Sequence, residues 1–246
     1  MNAKKNPVTL SIVVPAYNEE RRIGKSLEEI FRFCNALGDP YEVIVVDDGS
    51  TDETVALVRR RFGDRPQLRI AQQPERRGKG AAVQQGMLQG QGDYLFFSDA
   101  DLSVPIESLA IFLDELRNHC DVAIGSRRVP GAKIEIHQPL FREMMGRGFT
   151  WLSNLILGLR HSDVTCGFKG FRREIARELF IRLHLQNWSF DSELLYLADL
   201  KKYRVTEIPV TWRNDQGTKV RLWKDVLASF LGLLQIRANR VLGKYP

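Results

Sequence analysis

Short apolar runs alternate in the first half of the chain with longer stretches in which apolar residues recur at helical spacing. Five runs predict buried strands: Leu10–Pro15, Tyr41–Val46, Leu68–Gln72, Tyr94–Phe97 and Val122–Ile124. Four helices are predicted between them: Arg21–Leu37, a helix from a capping box at Ser50 and Glu53 to Phe62, Gly80–Gln89 and Ile106–Asn118. Strands that are apolar throughout and alternate with helices are typical of an α/β fold with a mostly parallel sheet flanked by helices.

The second half of the chain has a looser pattern. A loop is predicted over Ser126–Pro139, which contains two prolines and one glycine. The later elements are three helices, a short strand and a C-terminal amphipathic helix: Phe141–Leu159, Arg172–Leu183, Phe190–Lys201, Arg204–Pro209 and Val220–Leu242. No linker composition separates the halves, so we predict one domain over residues 1–246. Its parts are residues 10–125, residues 126–222 and a terminal helix over 223–246.

Charge is concentrated at the C-terminal end. The chain carries a net charge of +6, and residues 201–246 contain ten Lys or Arg against three Asp or Glu. A basic segment of this kind indicates an anionic membrane surface, a phosphate-bearing ligand or nucleic acid, or else an ordinary solvated face. Three scattered cysteines without a CxxC motif argue against a disulfide framework or a zinc site and suit a reducing compartment.

The sharpest local motif is Ser98-Asp99-Ala100-Asp101, which follows the apolar strand Tyr94–Phe97. Two carboxylates two residues apart on a turn can approach one Mg²⁺ or Mn²⁺ ion, which prefers oxygen ligands and leaves room for substrate phosphates. Ser103 is a candidate third ligand. A DxD sequence also occurs in solvated turns, but its position at a strand end favours the metal site.

Other strand ends and loops carry candidate ligand-binding groups. Asp47 and Asp48 end the second strand, where one carboxylate suffices for the turn and a second can bind a nucleoside. Lys79, between two glycines at a helix start, is a candidate phosphate contact. Arginines that can pair with oxyanions follow in three groups: Arg127 with Arg128, Arg142 with Arg147, and Arg213 with Lys219 and Arg221.

Five blocks in this order resemble the family 2 glycosyltransferases, whose fold is called GT-A: Val13-Val14-Pro15-Ala16-Tyr17-Asn18-Glu19, Val45 to Asp52, Gly78-Lys79-Gly80, Asp99-Ala100-Asp101 and Gly125-Ser126-Arg127. Three later blocks are similar to the dolichyl-phosphate β-glucosyltransferase branch: Cys166 to Phe171, Leu183-His184 with Trp188 to Leu195, and Val210-Thr211-Trp212. The resemblance covers about Leu10 to Leu222.

The resemblance implies a role for each matching residue. Those expected to bind the nucleotide-sugar donor are Pro15, Tyr17, Glu19, Val46, Asp48, Lys79, Asp99, Ala100, Asp101 and Arg127. Asp99 and Asp101, with Ser103, are expected to hold Mg²⁺ or Mn²⁺, although the mannosyl relatives commonly have Gln where Ser103 stands. Catalysis is assigned to Asp101, Arg127, Arg213 and Lys219, of which Arg213 and Lys219 serve the phosphate end.

The expected reaction is the inverting transfer of a hexose, glucose from UDP-glucose, to a polyprenyl or dolichyl monophosphate. A lipid phosphate is already anionic at neutral pH, so no strong general base is required. The residues leave open a GDP-mannose-dependent transferase acting on the same lipid, and a transferase acting on a saccharide or protein hydroxyl, for which Asp191 or Glu193 is the candidate base. A nucleotidyltransferase and a non-catalytic interaction module are the remaining alternatives.

The lipid acceptor implies a membrane surface as a partner. No apolar run approaches the ~20 residues that span a bilayer, and the N-terminal membrane helix of the eukaryotic glucosyl enzymes is not found in this sequence. We therefore expect a cytoplasmic protein bound peripherally to the cytoplasmic face of the membrane, with no nucleic-acid partner and with a homo-oligomer left open. The helix Val220–Leu242 places Leu222, Val226, Phe230, Leu233 and Leu234 near one face, which either lies on the membrane or packs on the sheet.

Overall fold

The computed structural model describes residues 8–214 and 222–245, and side chains of the last helix from residue 228 onward. A seven-stranded sheet consists of β1 (Leu10–Ala16), β2 (Tyr41–Asp47), β3 (Leu68–Gln72), β4 (Tyr94–Phe97), β5 (Val122–Ser126), β7 (Lys169–Arg172) and β8 (Val205–Pro209). The order of the strands across this sheet is β3-β2-β1-β4-β7-β5-β8. A separate pair consists of β6 (Lys133–Ile136) and β9 (Thr211–Arg213).

Eight α-helices accompany these strands in the described residues: α1 (Ile23–Leu37), α2 (Thr54–Phe62), α3 (Lys79–Gln89), α4 (Leu109–Asn118), α5 (Leu140–Leu157), α6 (Arg173–Phe180), α7 (Phe190–Leu200) and α8 (Leu222–Val241). A short 3-10 helix, Ile106–Ser108, precedes α4. They cover both faces of the sheet, because alternate strand residues face opposite sides. Ile12 and Val14 pack with α1 and α4 on one face, whereas Val13 and Ile44 pack with α3, α6 and α7 on the other. The predicted α/β architecture is confirmed.

The order of the strands brings the acidic turns to one edge. β1 pairs in parallel with both β2 and β4, so their carboxyl ends point the same way. Ala16 lies opposite Asp47, and the Ser98 amide donates to the Val13 carbonyl at 3.0 Å. The turns after β1, β2 and β4 therefore meet at the edge where open α/β sheets bind ligands.

Two local predictions are wrong, and one strand is not predicted at all. The predicted loop Ser126–Pro139 contains the strand β6, which pairs with the distant β9. The segment before α6, for which the pattern gives no element, forms β7, antiparallel to β4 and β5. The capping box at Ser50 and Glu53 does not form. Instead the Asp52 carboxylate accepts the Thr54 amide at the start of α2, and Ser50 Oγ accepts the Asn18 amide at 2.8 Å.

Helices α5 and α8 contact each other and bear apolar side chains on exposed faces. In α5 these residues fall on one stripe: Leu140, Phe141, Met144, Trp151 and Leu155. In α8 the expected single apolar face is split. Leu233 is fully buried with Ile236 against the domain, whereas Phe230 and Leu234 are exposed. The side chains of Leu222 and Val226 lie outside the described residues.

None of the helices in residues 8–214 and 222–245 combines the length and the apolar character needed to cross a bilayer.

Candidate active site

The turn after β4 carries the paired carboxylates of Asp99 and Asp101. Ser26 Oγ, from α1, donates to the Ala100 carbonyl at 2.6 Å, and the Ser103 amide donates to Asp101 Oδ1 at 2.9 Å. Leu102 has φ of 47°, a left-handed conformation that is costly for a leucine. The turn is thus held from both sides in a strained geometry, which is typical of functional sites.

Asp99 is paired with Lys79, at the start of α3. Lys79 Nζ lies 2.5 Å from Asp99 Oδ1 and 5.2 Å from the centre of the Trp188 ring. Burial would lower the pKa of Lys79, but the charges of Asp99 and Asp191 outweigh it and raise the pKa. On its other side Asp99 touches Gly167, where any Cβ would collide with the carboxylate. The glycine of the Cys166–Phe171 block therefore makes room for Asp99.

Asp101 lies close to a second cation. Burial raises the pKa of Asp101, and the charge of Asp99 adds to the shift. Arg22 NH1 is 3.8 Å from Asp101 Oδ2, while Nε and NH2 of Arg22 donate to Glu19 at 2.7 and 2.8 Å. Arg22 therefore connects Glu19, in the turn after β1, to Asp101, in the turn after β4.

The two carboxylates fit a divalent cation. Both are oxygen donors on one turn. Burial raises the pKa of Asp101 and the charge of Asp99 adds to the rise, and a cation between the two carboxylates would relieve both costs. No cluster of three or more His, Cys, Asp or Glu side chains suited to a metal occurs in the described part of the chain. A metal held by Asp99 and Asp101 would leave coordination positions open for substrate phosphate oxygens, as Mg²⁺ sites often do. The Ser103 amide donates to Asp101, and the role of the Ser103 side chain as a third metal ligand remains a prediction.

The residues expected to bind a nucleoside lie at the ends of β1 and β2. Asp48 accepts the amides of Arg77 and Gly78 at 2.7 and 3.0 Å, so it fixes the loop before α3. Burial raises its pKa despite these bonds. The guanidinium of Arg76, on the same loop, lies 4.1 Å from the Tyr17 ring centre. Pro15 and Val46 are register partners in the sheet and support this edge.

Arg127, directly after β5, is held by the carboxylate of Asp163, a residue that the sequence pattern does not single out. It donates to both oxygens of Asp163 at 2.6 and 2.8 Å, and its guanidinium lies over the Trp212 ring at 5.4 Å. Burial would raise the pKa of Asp163, but Arg127 lowers it to about 2. Asp163 precedes the Cys166–Phe171 block by three residues, and this proximity is the one signal in the sequence that could have identified it.

Arg127 also lines a cleft between the β6–β9 pair and α5, which we call the arginine cleft. The other lining residues are Arg128, Ile134, Gln138, Glu143, Arg147 and Trp212. Burial lowers the pKa of Arg128, and the charges of Arg127 and Arg147 add to that shift. The cleft is lined by three arginines and one glutamate and so concentrates positive charge, which favours an anion such as a phosphate.

The remaining site predictions have mixed outcomes. Arg213 is exposed on β9 with its side chain on Glu135 at 2.5 Å, although its amide donates to the Ser103 carbonyl at 2.9 Å. It does not line the arginine cleft. Lys219 and Arg221 lie outside the described residues. The catalytic roles of Arg213 and Lys219 remain predictions.

Comparison with known proteins agrees with this arrangement. Residues 11–180 match the family described as Glycosyl transferase family 2. The dolichyl-phosphate β-glucosyltransferase of Drosophila melanogaster is 40% identical over 228 residues, which are 86% of this chain and 69% of that protein. The human protein of the same name is 34% identical over 250 residues, 96% of this chain and 77% of that protein.

Solved structures of glycosyltransferases have the same fold. Glucosyl-3-phosphoglycerate synthase from Mycobacterium tuberculosis, crystallised with Mn²⁺, UDP-glucose and phosphoglyceric acid, superposes with a TM-score of 0.70 at 18% identity over 94% of this chain and 80% of that one. Mannosyl-3-phosphoglycerate synthase from Rubrobacter xylanophilus gives 0.69 at 16% identity over 96% and 75%. The fold is therefore the expected GT-A type, and the chain is a glycosyltransferase that belongs to family 2.

Proposed function

We propose that this protein transfers glucose, with inversion, from UDP-glucose to the phosphate of a polyprenyl or dolichyl monophosphate. The observation that carries the proposal is a pair of adjoining sites. A carboxylate turn beside Lys79 suits a nucleotide diphosphate, and an arginine cleft beside the exposed apolar face of α5 suits a phosphate on a lipid. Relatives named dolichyl-phosphate β-glucosyltransferase support the same reaction.

At the donor site, Asp99 and Asp101 would hold Mg²⁺ or Mn²⁺, which would supply positive charge to the diphosphate leaving group. Lys79 and Arg22 already lie beside these carboxylates and add positive charge where negative charge develops. Tyr17, under Arg76, and Asp48 orient the nucleoside at the ends of β1 and β2. These residues bind and position the donor, and they stabilise the leaving group.

At the acceptor site, Arg127, Arg128 and Arg147 bind the phosphate in the cleft. The bonds to Asp163 hold Arg127 in place, so its guanidinium needs little reorganisation when an anion binds. The acceptor oxygen is anionic and attacks without a proton transfer. Arg213 and Lys219 are proposed as further phosphate contacts.

The two carboxylates that an enzyme acting on a hydroxyl acceptor would use as base have other partners. Lys169 Nζ donates to Asp191 Oδ1 at 2.5 Å in a fully buried pair. Glu193 accepts the amides of His184 and Leu185 at 3.0 and 2.8 Å. This engagement favours an acceptor that is already ionised over a neutral hydroxyl.

The apolar faces of α5 and α8 are the proposed membrane contact. Two adjoining helices with exposed Trp, Phe and Leu side chains can lie in the headgroup region without spanning the bilayer. Arg147 and Arg160 of α5 and its following turn, and Arg237 and Arg240 of α8, are positioned to attract anionic lipid headgroups. Such a contact would bring the arginine cleft to the lipid phosphate.

The proposal is tested with a panel of nucleotide sugars, each incubated with and without a polyprenyl phosphate, with Mg²⁺ or Mn²⁺ present. We expect glucosyl transfer from UDP-glucose that depends on both the lipid phosphate and the metal. Calorimetry with UDP and GDP provides the second readout. Tighter binding of GDP than of UDP would favour GDP-mannose over UDP-glucose as the donor. Transfer to a sugar or protein hydroxyl without lipid phosphate would refute the proposed acceptor.

A further inference from the structure

Tyr245, near the C-terminus, folds back from α8 into the interior of the protein and is only 3% exposed. Its hydroxyl donates to Glu193 Oε1 at the start of α7, and Asn239 Nδ2 of α8 donates to the same hydroxyl at 3.2 Å. Burial and the charge of Glu193 both raise the pKa of Tyr245, so the hydroxyl stays protonated and remains a donor. The end of the chain is thus tied to α7 by a specific bond.

Glu193 transmits this contact to the loop before α7. Its carboxylate also accepts the amides of His184 and Leu185, so one side chain joins the C-terminal tail to the loop 184–189. A second contact comes from α8 itself, where Ser189 Oγ of the loop donates to the Ser229 carbonyl at 3.1 Å. The position of the loop therefore depends on α8 and its tail.

The same loop holds the start of α3, where Lys79 lies. The Gly80 amide donates to the Gln186 carbonyl at 2.9 Å. Gly78 has φ of 110° and packs so closely on that carbonyl that a Cβ would collide with it. The Trp188 ring then lies against Lys79, whose ammonium is paired with Asp99. The contacts run without interruption from Tyr245 through Glu193 and the loop to Lys79.

We propose that Tyr245 is a positioning residue for the donor site, acting through Glu193 and the loop 184–189 to aim Lys79 at the diphosphate. The inference rests on the proposed function only in that Lys79 faces a diphosphate. Its physical basis is that a lysine ammonium on a flexible stem binds a phosphate well only when the backbone that carries it is fixed. Tyr245 itself touches no substrate.

Hydrogen exchange of the full-length protein without ligand tests the contact chain directly. The variant Tyr245→Phe removes only the hydroxyl, and Tyr203→Phe is its matched control, because Tyr203 also donates to a carboxylate, that of Glu178, on a different part of the fold. In Tyr245→Phe we expect amides in residues 78–82 and 184–188 to exchange about five- to tenfold faster, as loss of one hydrogen bond implies. Unchanged exchange at 78–82, or the same increase in Tyr203→Phe, would overturn the inference.

Binding of UDP and of GDP with Mn²⁺ tests the consequence for the donor site. We expect Tyr245→Phe to weaken binding of the preferred nucleotide about fivefold and Tyr203→Phe to leave it unchanged. In a Lys79→Ala background the added Tyr245→Phe change has no further effect, because Tyr245 acts through Lys79. Additive losses would refute that route. A wild-type protein that binds neither nucleotide would refute the proposed donor, whereas the exchange result decides the role of Tyr245 independently.

Discussion

Lys169 Nζ lies 2.5 Å from Asp191 Oδ1, and both side chains are almost completely excluded from solvent. Lys169 comes from β7, the antiparallel strand between β4 and β5, and Asp191 from the first turn of α7. Burial raises the pKa of Asp191, whereas the charges of Lys169 and Lys79 oppose that rise. Asp191 therefore lies close enough to Lys79 and Asp99 to feel their charges, and its bond to Lys169 fixes α7 to the sheet.

Replacing Asp191 by Asn is expected to destabilise the protein and to leave the shape of the pH–rate profile unchanged. The change leaves Lys169 buried without a counter-charge, which typically costs about 3–5 kcal/mol. Urea denaturation measures this loss, and the double variant Lys169→Met/Asp191→Leu is expected to recover much of it. If the acidic limb of the pH–rate profile, where activity falls as a base becomes protonated, disappears in Asp191→Asn, the residue is a general base and the lipid phosphate acceptor is wrong.

Asp101→Asn is expected to lower metal-dependent donor turnover by about 100-fold or more while the fold stays intact. Asp99→Asn is expected to have a smaller effect, because Asp99 is already paired with Lys79. The control is Asp114→Asn, an exposed carboxylate on α4 that bonds only to Asn118 among the described hydrogen bonds. Circular dichroism checks the fold. Full turnover by a folded Asp101→Asn protein with Mn²⁺ would disprove the metal assignment.

Asp163→Asn is expected to lower the free energy of unfolding by about 3 kcal/mol, because it leaves the nearly buried Arg127 guanidinium with an uncharged partner. The matched control is Asp39→Asn, which breaks the more exposed pair with Arg117 and is expected to cost less than about 1 kcal/mol. Thermal and urea unfolding measure both. Equal effects of the two substitutions would mean that the Arg127–Asp163 pair contributes no more than a surface pair.

The stability of the protein is expected to fall as pH rises from about 7 to above 9. Burial would lower the pKa of His161, but Asp199 and Glu207 raise it to about 9. Because the folded-state pKa of His161 lies above the unfolded value, protonated His161 stabilises the fold fully below about pH 6.5. This stabilisation, about 2–3 kcal/mol, is lost as pH rises through 9. Urea titrations across this range, compared with His161→Gln, measure the effect. The variant should lack this alkaline loss, and an identical pH dependence in both proteins would contradict the assignment.

Substituting Trp151 and Leu155 by Glu is expected to abolish binding to anionic liposomes at low salt. Both side chains are more than 60% exposed on the apolar stripe of α5, so their replacement does not disturb the core. Ile111→Glu is the control, since Ile111 is similarly exposed at 58% on α4. Deleting α8 is a poorer test because Leu233 and Tyr245 are buried in the domain. Liposome binding that survives both Glu substitutions would place the membrane contact elsewhere.

The pattern of apolar and polar residues was sufficient to predict the sheet core and the position of the acidic turns. Apolar runs ended by Asp47-Asp48 and by Asp99 predict strands that end in polar turns, and the alternation with helices predicts that these turns share one edge. Helix limits were also close, as in α3 and α7. These features depend on residues that are near neighbours in the chain, so they can be identified from the pattern of side chains alone.

Which groups meet around these turns depends on the folded arrangement of the chain. The pattern predicts a loop where β6 forms and does not predict β7, because a four-residue strand is stabilised by partners that lie far away in the sequence. The same holds for Arg127 with Asp163, 36 residues apart, and for Glu193 with Tyr245, 52 residues apart. Charge pairing and hydrogen bonding act through space, and burial sets their strength, so neither can be assigned until the chain has folded.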